Sequence, residues 1–378
     1  MWKHAIEKCV EQTRRNIQRF GDQFPHVSTN GRHYVLDSNT DWTDGFWSGI
    51  LWLCYEYTGE KQFREAAVRT VDSFRKRLKN NIGLDHHDIG FLYSLSTKAQ
   101  WILEKDEEAR LLTLQAADVL MKRWRTESQL IQAWGSEHDP ENGGRIIIDC
   151  LMNLPLLYWA YEQTGEARYL EAANIHAEKS RRFLVRGDDS SYHTFYFDPL
   201  TGDSVRGGTH QGYRDGSTWT RGQAWGIYGF SLAYRGLRRS EFLDTSKRMA
   251  LYFYDRLPED HVVYWDFDAP QLPETKRDSS ASAIAAAGVL ELIPHLEPND
   301  PIKVNLLDTV HRSMTSLVQN YTPDNGSDEQ GFIQRGSYSV RRGASPDDYT
   351  IWGDYYYLEA LMRLDKGIPG YWYERKIP

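Results

Sequence analysis

The chain lacks most of the features by which a sequence declares its class. Its three cysteines, Cys9, Cys54 and Cys150, lie far apart, with no C-x-x-C among them. An odd, scattered count excludes a disulfide framework and suits small buried hydrophobes in a reducing compartment. No apolar run is long: "GFWSGILWLCY" (45–55) falls well short of the roughly 20 residues that span a bilayer. The opening "MWKHAIEKCVEQTRRNIQRF" is charged throughout, without the apolar stretch of a secretory signal. Basic excess is missing as well. Against 53 Asp and Glu stand 45 Lys and Arg, a formal charge of −8, which argues against a nucleic-acid scaffold. No glycine-rich phosphate loop, no G-x-S-x-G, no H-E-x-x-H and no Cys/His cluster of zinc spacing occurs. The expectation is a soluble cytoplasmic protein, a monomer, with no nucleic-acid or membrane partner.

What is abundant is aromatic: 13 Trp and 23 Tyr in 378 residues. Many lie beside Gly, Asp and His in polar surroundings, as in "TDWTDGFW", "QAWGSEHD", "GSTWTRGQAWG" and "TIWGDYYY". Aromatics placed so offer flat apolar faces to a ring that is apolar on one side and hydroxylated at its edge, as sugars are.

A repeat runs through the chain. "TDGFWSGILWLCYEYTGEKQFREAAVRTVDSFRKRL" (43–78) reads as a small-and-aromatic helix, a Thr-Gly-Glu turn and an amphipathic helix. The same pattern returns at 146–184, with its own "QTGEARY" turn, and weaker copies begin near residues 87, 220, 277 and 352. Helices of the first type are apolar nearly all round and belong inside; the charged ones belong outside. The first helix (about 2–20) has no inner partner before it, and the last inner-type helix (about 353–365) has no outer partner after it. These two can close on each other. The fold expected is all-α: one (α/α)6 barrel of six inner and six outer helices over residues 1–378, with long loops at one end. The connections 196–217 and 319–348 are read as unstructured and functional.

Five inner helices carry an acid near the first turn: Asp44, Asp88, Asp149, Asp278 and Asp354. The fourth has Arg221 there. For Asp44, Asp278 and Asp354 the plain expectation is a helix cap. Closing the barrel brings all six positions to one pocket, which favours chemistry for Asp88 and Asp149. Two carboxyls held at different pKa values are the usual equipment for acid/base work on a glycosidic or enol-ether bond. Asp85, His86, His87 and Asp88 invite a metal reading. Adjacent helical residues point about 100° apart, however, so His86 and His87 do not share an ion readily. His87 is expected to face the pocket with Asp88, and His86 to face outward. His193, His210 and Gln211 lie on the long loop before Arg221, where they could line the pocket.

The stretches "NTDWTDGFWSGILWL", "LDHHDIGFLYSLS", "GGRIIIDCLMNLPLL", "RGGTHQG", "STWTRGQAWGIYGF", "DSSASAIAAAGVLEL" and "SPDDYTIWGDYYYLEAL" resemble the unsaturated glucuronyl hydrolases, glycoside hydrolase family 88. The resemblance covers almost the whole chain. It implies an (α/α)6 barrel that acts, without metal or organic cofactor, on the unsaturated uronate-terminated oligosaccharides left by polysaccharide lyases. It implies Asp149 as general acid/base and Asp88 as second essential carboxylate. Trp42, His87, Trp134, His193, His210, Gln211, Trp219, Arg221, Trp225 and Tyr338 then line the substrate pocket. Arg221 is expected to grip the substrate carboxylate at two points, and Trp42, Trp219 and Trp225 to stack on sugar rings. The family's members acting on sulfated sugars carry a Ser- and Lys-containing patch near the C-terminus. The tail "GIPGYWYERKIP" has no serine, which speaks against sulfated substrate. Two alternatives remain open: an unsaturated rhamnogalacturonyl hydrolase on pectin fragments, and a sugar 2-epimerase on the same barrel.

Overall fold

The Thr-Gly-Glu turns show how the repeat builds its helix pairs. Helix α1 (Trp2–Phe20) stands alone; α2 (Asp44–Thr58) and α3 (Lys61–Lys79) form the first pair. Gly59 ends α2 in the left-handed region (φ 72°), its N–H returning to the Tyr55 carbonyl. The Thr58 hydroxyl accepts from the Glu60 N–H at 3.1 Å. Gly165 (φ 73°) and Thr164 do the same between α7 (Pro155–Thr164) and α8 (Ala167–Phe183). A glycine that takes positive φ at no steric cost reverses the chain within two residues, so consecutive helices lie antiparallel.

The computed structural model describes residues 1–136, 139, 142–324 and 326–375. The further helices are α4 (Ile89–Ser94), α5 (Thr97–Glu104), α6 (Glu107–Met121), α9 (Thr220–Leu237), α10 (Ser240–Tyr254), α11 (Ser279–Leu292), α12 (Pro301–Asn320) and α13 (Ile351–Lys366). Six inner elements form the barrel wall: α2, α4 with α5, the 3-10 turn Ile148–Met152 with α7, α9, α11 and α13. Each packs on the next, and α13 packs back on α2, so the ring closes. The outer elements are α1, α3, α6, α8, α10 and α12. α1 lies against α13 and α2 and completes the circle, as the unpaired chain ends implied.

The second inner helix is broken between Ser94 and Thr97. Ser96 and Thr97 turn their hydroxyls back onto the Leu92 and Tyr93 carbonyls, at 2.6 and 3.3 Å. Such back-bonding competes with the helix ladder and bends it.

The connections hold more structure than the sequence suggested. Seven short strands occur among the described residues: β1 (Phe24–Ser28) with β2 (Tyr34–Asp37), β3 (Trp124–Arg125) with β4 (Leu130–Ile131), and β5 (Arg145–Ile147), β6 (Thr194–Phe197) and β7 (Ser204–Gly208) in one antiparallel sheet. The connection 196–217, expected to be unstructured, thus supplies strands to a sheet. Its partner β5 lies some fifty residues upstream, a pairing that no local pattern reveals. The sheet gathers the site. Asp149 follows β5, His193 precedes β6 and His210 follows β7, while the Ile148 N–H donates to the His193 carbonyl at 3.1 Å.

Candidate active site

Asp88 and Asp149 meet across His87. The His87 N–H donates to the Ala133 carbonyl at 2.8 Å, which turns the ring inward. His87 Nε2 lies 3.4 Å from Asp88 Oδ1 and 3.9 Å from Asp149 Oδ1. The ring is 1% exposed, the Asp88 and Asp149 side chains 15% and 13%. Neither ring nitrogen of His87 has a hydrogen-bond partner, nor does Asp149 Oδ1. Buried polar atoms of this kind are costly and call for a ligand. The two carboxyls therefore share one end of the barrel, as the repeat predicted.

Their electrostatics differ. Burial, and then the charge of Asp88, pushes Asp149 well above the ordinary carboxylate range. For Asp88 burial also acts upward, yet His87, His86 and Asn153 outweigh it and hold the carboxyl low. Burial pushes His87 down to about 4, so at neutral pH the ring is uncharged. The result is one carboxyl pushed toward its protonated form and one toward its ionised form, on either side of a neutral imidazole.

His193 is placed by the sheet. Its Nδ1 accepts from the His210 N–H at 3.1 Å, so its proton sits on Nε2, which is buried and without a partner. Its ring meets Trp219 edge-on at 5.0 Å. His210 Nε2 lies 2.9 Å from the Tyr196 hydroxyl and 3.4 Å from Arg145 Nη1, with Trp134 beside it at 5.2 Å. Trp42 is half-buried and tilted against Trp352 at 5.3 Å, and Tyr338 closes on Trp352 at 5.6 Å.

Three expectations require correction. Arg221 has no fork free for a substrate carboxylate. One Nη engages Asp278 and the Ser337 carbonyl; the other engages Gln211 Oε1 at 3.0 Å and the Tyr338 carbonyl at 2.7 Å. Its work is to fix Gln211 and the loop bearing Tyr338. Trp219 and Trp225 offer no open face: Arg221 covers Trp219 at 4.3 Å, while Phe91 and Tyr356 pack on Trp225, which is 1% exposed. Of the three tryptophans, only Trp42 is less than fully buried. Finally, the tail through Arg375 lies at the opposite end of the barrel, where Lys98 Nζ donates to the Trp372 carbonyl at 3.0 Å. Its lack of serine therefore says nothing about sulfate; residues 376–378 of that tail lie outside the described residues.

The other N-terminal acids have structural partners. Asp278 caps α11 and receives Arg221. Asp44 pairs with the buried Arg77 at 3.1 Å, and Asp354 accepts the Tyr34 hydroxyl and the N–H groups of Phe332 and Ile333. Only Asp278 caps its own helix, so the cap expectation fails for the other two. His86 points its Nε2 out to the Gly83 carbonyl, yet its Nδ1 lies 3.4 Å from Asp88 Oδ2. The cluster whose spacing would admit an ion is His87, Asp88 and Asp149, with candidate atoms within 4.8 Å of one another. A pair of carboxyls with opposite shifts around a neutral imidazole suits a shared proton better.

Two site residues escaped the sequence reading. Trp352 sat in a quoted aromatic stretch but was not assigned; its place in the first turn of an inner helix was the available signal. Asn153 carried no signal, being one polar residue in the apolar run "DCLMNLPLL".

Comparison with known proteins agrees with this geometry. The Glycosyl Hydrolase Family 88 profile matches residues 16–366. An unsaturated glucuronyl hydrolase of Bacillus sp. strain GL1 is 65% identical over 375 residues, covering 99% of this chain and all of that one. Its crystal structure superposes with a TM-score of 0.98. An unsaturated chondroitin disaccharide hydrolase of Streptococcus agalactiae is 44% identical over 98% of this chain and 93% of its own. A structure of 64% identity and TM-score 0.98, covering 99% of this chain and all of its own, holds dGlcA-Glc-Rha-Glc.

Proposed function

Because the chain belongs to glycosyl hydrolase family 88, we propose that it hydrolyses oligosaccharides ending in 4,5-unsaturated glucuronic acid, with Asp149 giving and taking the proton. The observation that carries this is the pair of carboxyls flanking neutral His87, one held protonated and one ionised. The terminal sugar is a vinyl ether: its C4=C5 bond is joined to the ring oxygen. Protonation at C4 puts positive charge on C5, shared with that oxygen. Water adds at C5, and the hemiketal opens and expels the remaining saccharide. An acid protonated near neutral pH is needed for the first step, and burial supplies it in Asp149. After delivery, the Asp149 carboxylate takes the proton of the attacking water and is restored.

Ionised Asp88 holds ring hydroxyls and stabilises the cation. The Nε2–H of His193 and the side chain of Gln211, itself fixed by Arg221, orient the water. Trp42 supports the sugar, and Trp134, His210 and Tyr338 line the approach. His87 separates the carboxyls. No step requires a cofactor. We place the enzyme in the cytoplasm as a monomer; its three thiols are buried and unpaired, and among the described residues no helix is long and apolar enough to cross a membrane.

A panel of lyase-generated disaccharides tests the reading. Unsaturated glucuronyl disaccharides should lose the near-ultraviolet absorbance of the conjugated acid, unaffected by prolonged chelation. Turnover confined to rhamnogalacturonyl disaccharides, or product that keeps its absorbance, would overturn it.

A further inference from the structure

Asn153 lies between the 3-10 turn that carries Asp149 and Pro155, the first residue of α7, and it is fully buried. Its Oδ1 accepts from the Phe91 N–H at 2.8 Å. That bond settles the orientation of the amide, since only the oxygen can accept. The NH2 group must then face the carboxyls. It lies 3.3 Å from Asp88 Oδ1 and 3.4 Å from the Asp149 carbonyl oxygen. The two segments meet at very close range: a Cβ at Gly90 would fall 2.4 Å from Asn153 Cα. One amide thus ties the start of α4, which carries Asp88, to the turn that carries Asp149.

Two rings also approach the Asp88 carboxylate, His86 Nδ1 at 3.4 Å from Oδ2 and His87 Nε2 at 3.4 Å from Oδ1, but their hydrogen-bonding atoms are committed elsewhere or make no hydrogen bond. His86 Nδ1 already accepts the Asp88 N–H at 3.1 Å, and its Nε2 donates to Gly83. The His87 ring makes no hydrogen bond and is uncharged at neutral pH. Arg123, at the end of α6, directs its hydrogen bonds to Asp85 and the carbonyls of Gln132 and Gly135. Asp149, opposite, is a second carboxyl. Among the described residues, the Asn153 amide is the donor in hydrogen-bond contact with the Asp88 side chain.

We propose that Asn153 is a positioning residue that keeps the negative charge on Asp88 and so keeps the shared proton on Asp149. The inference rests on the roles assigned above to those two acids. A donor to a carboxylate favours its charged form, and two carboxyls this close hold one proton between them at working pH. The carboxyl that has the donor gives the proton up. Without Asn153 the proton divides between the two, and the fraction of enzyme able to protonate C4 falls.

Asn153→Asp tests this. It keeps the shape and the acceptor for the Phe91 N–H, while its ionised form offers Asp88 no donor. The acid limb of the kcat/KM profile should move up by about one pH unit. At the wild-type optimum kcat should fall about tenfold or more, with the fold retained by circular dichroism. Asn153→Ser, whose hydroxyl falls short of Asp88, should move the limb the same way and serves if the first variant does not fold. A uniform loss with the acid limb in place, or wild-type kinetics, would overturn the proposal. Asp88→Asn measured in parallel separates the two levels. If it is nearly inactive while the limb of the Asn153 variants stays put, only the Asn153 inference falls; if it is nearly as active as wild type, the underlying assignment falls with it.

Discussion

The two ends of the barrel bury charge in opposite ways. At the end where the inner helices begin, His87 leaves both ring nitrogens unpartnered, and Asp149 Oδ1 and His193 Nε2 are unpartnered as well. At the other end the chain returns beneath the barrel, and the buried carboxylates Glu291 and Glu359 are answered. Glu359 accepts from the Tyr228 hydroxyl, from Arg363 Nε at 2.9 Å and from the Trp372 indole at 3.0 Å. Glu291 receives Arg235, Arg363 and the Tyr373 hydroxyl, and these cations hold it down to about 2 although burial acts the other way. Glu374 receives the indoles of Trp101 and Trp159. Buried charges with every oxygen engaged act as a seal, while unpartnered atoms gathered around two carboxyls mark a place prepared for a ligand.

The comparison predicts that substitutions at the two ends separate rate from stability. The largest effect belongs to Asp149→Asn. It removes the exchangeable proton and with it both halves of the acid/base cycle, each typically worth on the order of 10² to 10⁴ in rate. The variant should fold, bind unsaturated disaccharide and turn over almost none. Wild-type enzyme in deuterated solvent should place deuterium at C4. Near-native turnover by the variant would move the acid role to Asp88 or a histidine.

At the sealed end the expectation reverses. Glu359→Gln leaves Arg363 and Tyr228 facing a neutral amide in a dry site, a broken buried network of the kind that costs about 3 kcal/mol or more. Denaturant unfolding should show that loss, while kcat per folded molecule stays within about twofold, because no residue of the site touches Glu359. A large fall in kcat at unchanged stability would show that the two ends are not independent.

How much of this the sequence could tell follows from which interactions are local. Helical periodicity and the Thr-Gly-Glu turns are local, so the barrel and its closure were legible, and with them the placing of Asp88 and Asp149 at one end. The sheet of β5, β6 and β7 was not, because its register joins segments some fifty residues apart. Partner count was illegible for the same reason. Arg221 looked like a free cation until Asp278, Gln211 and the 337–338 carbonyls were brought to it from elsewhere in the chain. Asp44, Asp278 and Asp354 looked alike in sequence, yet each found different partners. The family resemblance supplied candidate pocket residues, but not the tautomer of His193 or the orientation of Asn153, which depend on geometry alone.

Asp354 sharpens the comparison, because it sits at the open end yet behaves as a sealed group. Oδ1 accepts from the Phe332 and Ile333 N–H groups at 2.8 and 3.1 Å, and Oδ2 from the Tyr34 hydroxyl at 2.7 Å. Burial pushes its carboxyl up to about 7 despite these three donors. In the unfolded chain an aspartate releases its proton near pH 4. Between about pH 4 and 7 the folded state therefore holds a proton that the unfolded state has lost. The stability this contributes is complete below about pH 4, declines as pH rises through that window and is gone above about 7. Asp354→Asn removes the titration and keeps an oxygen for the two N–H groups, while Tyr34 must turn its hydroxyl to accept. Below about pH 4 the variant should match wild type within about 1 kcal/mol. Its stability relative to wild type should then improve by about 1 to 3 kcal/mol on going from pH 5 to pH 9, with turnover within about twofold at every pH. Denaturant unfolding of both proteins across that range measures the difference directly. Parallel stability curves would mean that Asp354 is ionised throughout.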